Sequence, residues 1–321
     1  MTRTLFVTAL AADSGKAEAV AGLMDLIKGS AKAPVLFRPV PRLETALELI
    51  NGGKGNELID SVLAAYKEAS ANADFVLCEG TDFAGRSAAF ENALNACIVA
   101  NMGAPVLLAL SGEGCSPAEV AATITAFRCQ MKEQCVELLG VFLSGMSDED
   151  EKAVAAYFSF PVSSRADAFA SILDACNGHI TPRLFEFGLI EQAQKHPMRI
   201  VLPEGEEDRL IKAAAILIQR KVADIILLGD ADKIHARAAE LAVSVDGAQI
   251  INPVTAPDFE DFAETYAQLR AKKGVTIEQA REKMADSTYY GTMMIYKEKA
   301  DGMVSGAVNT TAHTVRPALE F

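Results

Sequence analysis

Short apolar runs alternate with helical patterns from the start of the chain. "TLFVTAL" leads into "GKAEAVAGLMDLIKG" and then "APVLFRPV", the succession expected of a strand, a helix and a strand. Three further runs, "ADFVLCEG" (73–80), "APVLLALSG" (104–112) and "ELLGVFLSG" (137–145), are almost wholly apolar, as strands covered on both faces must be. Each ends in a glycine-bearing turn, where a ligand crevice can open. "FPVSS" (160–164) predicts a short edge strand, and "ADAFASILDACNG" (166–178) predicts a helix closed by Gly178.

The pattern then starts afresh. "MRIVLPEG" predicts a strand, "EEDRLIKAAAILIQRK" a helix, "ADIILLGD" a strand and "ADKIHARAAELA" a helix. "AQIINPV" follows, then long helices over 258–272 and 277–286, and the end of "TMMIYKEKADGMVSGAV" predicts a strand running into a loop. There is no repeat at a fixed period and no low-complexity segment. The fold class expected is α/β, with two successive doubly wound units over 1–178 and 182–321.

Composition supports two cores: half of the 321 residues are hydrophobic. The 43 acidic residues against 30 basic ones give a net charge of -13, which argues against nucleic acid or a polybasic membrane patch as the main partner. An anionic ligand therefore needs local arginines. No apolar run approaches the ~20 residues that span a bilayer, and the N-terminus turns polar too soon for a signal peptide, so a cytoplasmic protein is expected. The six cysteines all lie in the first 176 residues without a Cys-x-x-Cys pair. They are expected to be reduced and mostly buried, and no metal site is expected.

Two loops carry candidate chemistry. "AADSGK" follows the first strand and opens a helix, the setting of a phosphate loop, with Ser14, Gly15 and Lys16 in place. Its chemistry is thinner than its setting. Ala11 or Ala12 stands where a wrapping glycine is needed, Ala17 stands where Ser or Thr would hold magnesium, and Asp13 would repel a polyphosphate unless it caps the helix. The reading is a degenerate loop kept for packing.

The sharper loop is "MVSGAVNTTAHTVRPALEF" (303–321), where Ser305, Gly306, Asn309, Thr310, Thr311 and Thr314 offer hydroxyl and amide groups to an oxyanion beside Arg316. Upstream, Arg209 falls in the first turn of a helix, against its dipole, which is either an anion contact or an ion pair with Glu206 or Asp208. Arg270 sits with Lys272 and Lys273 at the end of a long helix before Gly274, where cations are ordinary.

In order and spacing, "LPEGEEDR", "LRAKKG" and "DGMVSGAVNTTAHTVRPAL" closely resemble the N-terminal half of the phosphate acetyltransferase (phosphotransacetylase) catalytic domain. The first unit is similar to the dethiobiotin synthetase type of P-loop fold, which precedes that domain in many long bacterial members and is thought to serve regulation and assembly. Phosphate butyryltransferases and part of some malic enzymes share the fold, but the chain has no dinucleotide fingerprint of the kind malic enzymes carry.

The resemblance implies reversible acetyl transfer between acetyl-CoA and inorganic phosphate, giving acetyl phosphate and CoA, a step of acetate metabolism. It implies coenzyme A as substrate with no tightly bound cofactor, and a homo-oligomer. Arg209, Arg270 and Arg316 fall on the family's CoA-binding arginines, and the 305–314 loop on the cleft where phosphate or acetyl phosphate sits. The family's acid-base aspartate, serine and transition-state arginine are expected beyond Phe321. On that expectation the chain stops partway through the catalytic domain, exposes a sheet edge and is inactive alone. The alternative is a non-catalytic CoA-binding or assembly module, or one half of a split enzyme.

Overall fold

The computed structural model describes residues 2–81 and 88–321. The chain divides into two compact units, Met1–Phe187 and Gly188–Phe321.

The first unit runs β1 (Arg3–Ala9), α1 (Lys16–Lys28), β2 (Pro34–Phe37), α2 (Leu43–Asn51), α3 (Gly55–Ser70), β3 (Phe75–Glu79), α4 (Ala88–Met102), β4 (Val106–Ser111), α5 (Pro117–Glu133), β5 (Leu138–Ser144), α6 (Asp148–Ala155) and β6 (Val162–Ser163). The strands form one parallel sheet in the order β2-β3-β1-β4-β5-β6. Side chains alternate across a strand, so the apolar run of β1 feeds two cores at once. Leu5 and Val7 pack with α1 residues such as Leu23 and Ile27, while Phe6 packs on the other face with Val62 and Ile124. Helix starts are fixed locally: Ser116 and Glu119 form a reciprocal capping box on α5.

Three expectations change. Residues 166–175 form a 3-10 helix, and Phe169 and Ile172, both buried, recur at the three-residue period of that helix. Gly178 does not cap it; the following His179 N–H donates to the Gly103 carbonyl at 2.9 Å, tying this segment to the end of α4. Asp13 does not cap α1, whose N-cap is Gly15 in a left-handed conformation. The cysteines are free, but only Cys78 and Cys176 are buried; Cys97, Cys115, Cys129 and Cys135 are exposed, because they fall on outer helix faces and turns rather than on strands.

The division between the units falls within α7 (Pro182–Lys195). The second unit continues with β7 (Arg199–Leu202), α8 (Asp208–Gln219), β8 (Asp224–Leu228), α9 (Ala231–Glu240), β9 (Gln249–Ile251), α10 (Phe259–Leu269), α11 (Ile277–Met284), α12 (Ser287–Tyr296), β10 (Gly302–Met303) and α13 (Thr311–Glu320). Its parallel sheet has the order β10-β7-β8-β9. Val201, Ile226 and Leu228 face a core with Phe262, Tyr290 and Met293; Leu202, Ile225 and Leu227 face another with Ile211 and Ile234. The direction of winding reverses between β10 and β7. A crevice at the carboxyl ends of those two strands is where open α/β sheets bind ligands.

Candidate active site

The turn after β7 and the loop after β10 meet at that crevice. Gly205 allows the first to sit tightly: a Cβ there would lie 2.6 Å from the Leu228 carbonyl oxygen at the end of β8. Gly306 allows the second to bend, at φ +122°. Between them the carboxylate of Glu204 accepts four backbone hydrogen bonds. Gly306 and Ala307 donate to Oε2 at 2.9 and 3.0 Å, and Val308 and Asn309 donate to Oε1 at 2.6 and 2.5 Å. Partial burial pushes the Glu204 carboxyl up, but the four donors outweigh it and hold it at about 2.

The loop's side chains are knit together as well. Asn309 Nδ2 donates to Thr288 Oγ1 at 2.9 Å and to Ser305 Oγ at 3.3 Å, and Thr314 Oγ1 donates to Ser305 Oγ at 3.3 Å. Thr310 caps α13 by accepting from the His313 N–H, and Thr311 is exposed at its start.

Two cavities flank the loop. The larger, of about 500 Å³, is walled by the 203–207 turn, Gly229, Thr288, Asn309 and His313. The smaller, of about 330 Å³, is walled by Lys283, Tyr289, Thr310, His313 and Arg316 among others. Asp286 borders both. Its Oδ1 accepts from the Thr288 and Tyr289 N–H groups at the start of α12, and its Oδ2 lies 2.9 Å from His313 Nε2.

Of the three sequence-predicted arginines, Arg316 alone lines either of these two cavities. Arg316 is exposed on the wall of the smaller one. Arg209 donates from Nη2 to the Ala307 carbonyl at 2.5 Å and from Nε to Glu207 at 2.6 Å. Its carboxylate partner is therefore Glu207, the N-cap of α8, and not Glu206 or Asp208; Asp208 is held by Arg237, and Glu206 faces Lys233 at 3.7 Å. Capping geometry decides this, because the N-cap side chain folds back over the first turn where Arg209 begins. Arg270 ends α10, with its Nε buried and without a hydrogen-bond partner among the described residues.

In the first unit, Lys16 is buried and donates to the Gly80 carbonyl at 2.8 Å. Ser14 is buried beneath the same loop, and Gly15 packs against Ser144.

Sequence reasoning passed over Glu204, Asp286 and His313. The signals were present: a Glu directly after a strand in "LPEG", and an Asp before Ser-Thr at a helix start. Among the described residues no group of three or more His, Cys, Asp or Glu is placed to hold a metal ion, and no helix is long and apolar enough to cross a membrane.

A doubly wound α/β unit with its site at the winding reversal defines a broad class, and comparison narrows it. Residues 184–321 match the family model described as phosphate acetyl/butaryl transferase, and residues 53–166 match that of an AAA domain, a range that leaves out Ser14–Lys16. Over its second unit the chain is similar to the phosphate acetyl/butaryl transferase family, a family of acyltransferases. The phosphate acetyltransferase of Nitratidesulfovibrio vulgaris is 28% identical in an alignment covering 100% of this chain and 73% of that protein. The phosphate acetyltransferase of Corynebacterium glutamicum is 48% identical over 44% of this chain and 43% of that protein, so the chain spans less than half of it. A solved phosphotransacetylase from Streptococcus pyogenes aligns with TM-score 0.42 and 36% identity, over 44% of this chain and 42% of that one.

Proposed function

We propose that the protein is a phosphate acetyltransferase polypeptide whose second unit binds coenzyme A and phosphate for acetyl transfer between acetyl-CoA and acetyl phosphate. The observation that carries this reading is the coincidence of the 184–321 family match with a polar crevice at the carboxyl ends of β7 and β10. Arg316 is the arginine best placed to take a phosphate of CoA, because it faces a cavity and makes no side-chain hydrogen bond among the described residues. Arg209 would have to exchange Glu207 or Ala307 for a ligand phosphate, a trade favoured by the charge-assisted, forked bonding of guanidinium to phosphate. His313, oriented by Asp286, lines both cavities.

The 321-residue chain is expected to bind CoA without turning over acetyl phosphate, since the family's acid-base aspartate, serine and transition-state arginine are assigned to no residue of it. The first unit is proposed to serve regulation or assembly, in a cytoplasmic homo-oligomer. Exposed Val304, Val308, Val315 and Leu319 support association.

The test is calorimetric titration of CoA into the chain and into Arg316→Ala, alongside an acetyl phosphate formation assay. Weaker binding in the variant with no turnover supports the reading in full. Turnover by the chain alone overturns the assignment of the acid-base groups elsewhere, and no CoA binding at all favours the non-catalytic assembly module.

A further inference from the structure

A concave run of backbone N–H groups is an anion receptor, and the 306–309 run is one whose anion is already supplied by the chain itself. All four donors reach Glu204, two to each carboxylate oxygen. The loop is gripped a second time from the start of α8, where Arg209 Nη2 holds the Ala307 carbonyl. A peptide whose N–H is bound to Glu204 and whose C=O is bound to Arg209 has little freedom to shift. Ser305 Oγ lies 3.4 Å from Glu204 Oε2, and through Ser305 the clasp continues to Asn309 and Thr314.

We propose that Glu204 is a positioning residue for the phosphate end of the crevice: it is the resident anion of the 306–309 amides, shaping the loop and keeping substrate oxyanions off those amides. The inference rests on the functional reading above and deepens it. Substrate phosphate then meets the side chains on the cavity walls, Asn309 and His313 among them, and not the backbone of the loop. An incoming phosphate could use the amides only by expelling a carboxylate that would remain tethered beside it, and the two like charges would repel.

The experiment compares the full chain with Glu204→Ala and Glu204→Gln. Removing the side chain vacates a receptor for a monocarboxylate, so acetate is the probe, with chloride at matched ionic strength as the control. In thermal unfolding, acetate is expected to raise the midpoint of Glu204→Ala saturably and to leave the parent chain and Glu204→Gln unmoved, since a carboxamide still fills the space. In CoA titrations, Glu204→Ala is expected to bind about tenfold more weakly, ~1.4 kcal/mol, and to recover with acetate. A purely structural role would lower stability without that rescue of affinity.

Should Glu204→Ala not fold, Glu204→Gln carries the test. Its NH₂ group opposes two of the four donors, so it should melt lower and bind CoA more weakly than the parent; equality with the parent overturns the inference. An acetate response of the parent chain equal to that of Glu204→Ala also overturns it. If the parent chain binds no CoA, the functional reading fails while the acetate arm still decides whether Glu204 is the resident anion.

Discussion

The guanidinium of Arg209 and the carbonyl oxygen of Ala307 are 98 residues apart in sequence and 2.5 Å apart in the structure. An arginine that the family resemblance assigns to CoA thus already bridges the two loops of the crevice. Arg209→Ala should weaken CoA binding about tenfold, ~1.4 kcal/mol, with a small loss of thermal stability because the residue is exposed. Arg209→Lys should recover little of the affinity, since an ammonium cannot hold Ala307 and Glu207 in the same fork. Calorimetry on the three proteins checks this, and wild-type affinity in Arg209→Ala would remove the residue from the site.

Lys16 is bound inward to Gly80, and on that ground the first unit is expected to bind nucleotide poorly. A phosphate-loop lysine works by reaching the phosphates, and this one would first have to leave a buried bond. Lys16→Met should lower stability by about 1–3 kcal/mol, the cost of depriving a buried carbonyl of a donor. Magnesium-ATP should leave the unfolding midpoint of the parent chain unchanged. A saturable rise with nucleotide would show that the loop opens and binds.

The strands were legible in the sequence because burial on both faces leaves long apolar runs: "TLFVTAL" holds β1 and "ELLGVFLSG" holds β5. The long helix expected over 258–272 is instead α10 followed by a 3-10 turn at Ala271–Lys273, where Gly274 at φ +75° closes the segment. A local pattern does not separate these two helix types near a glycine stop. For the candidate site, composition offered residues and not the bonds between them. Ser305, Asn309 and Thr314 were singled out for their hydroxyl and amide groups, but their partners, Glu204 and Thr288, lie 101 and 21 residues away from Ser305 and Asn309. Nothing in local composition encodes such pairings.

Asp301 ties the start of β10 to the start of β7. It accepts from the Arg199 backbone N–H at 2.8 Å and from its guanidinium at 3.0 and 2.7 Å. The guanidinium and the N–H together hold the Asp301 carboxyl at about 2, below its ordinary 3.8. The folded state therefore favours the ionised form. The stabilisation is complete above the unfolded value and is lost as pH falls through about 2, so the window of loss lies between 3.8 and about 2. Asp301→Asn should lower the unfolding midpoint at neutral pH and flatten its fall across that acid window. A variant whose acid profile has the parent's slope would show that the ion pair contributes nothing there.

Gly205 sets the position from which Glu204 reaches the loop. Its N–H donates to the Leu228 carbonyl at 3.1 Å, and a Cβ on it would come within 2.6 Å of that same oxygen. The clash is with backbone in the middle of the sheet, which cannot rotate away as a side-chain tip could. Gly205→Ala must push the 203–207 turn off the end of β8, at a cost of about 1–3 kcal/mol from overpacking. Because that turn carries Glu204, the shift should also loosen the 306–309 amides. The expected result is a lower unfolding midpoint together with faster amide exchange at residues 306–309 than at β8, read by hydrogen exchange. Unchanged protection of those four amides would mean that Glu204 follows the loop independently of its turn.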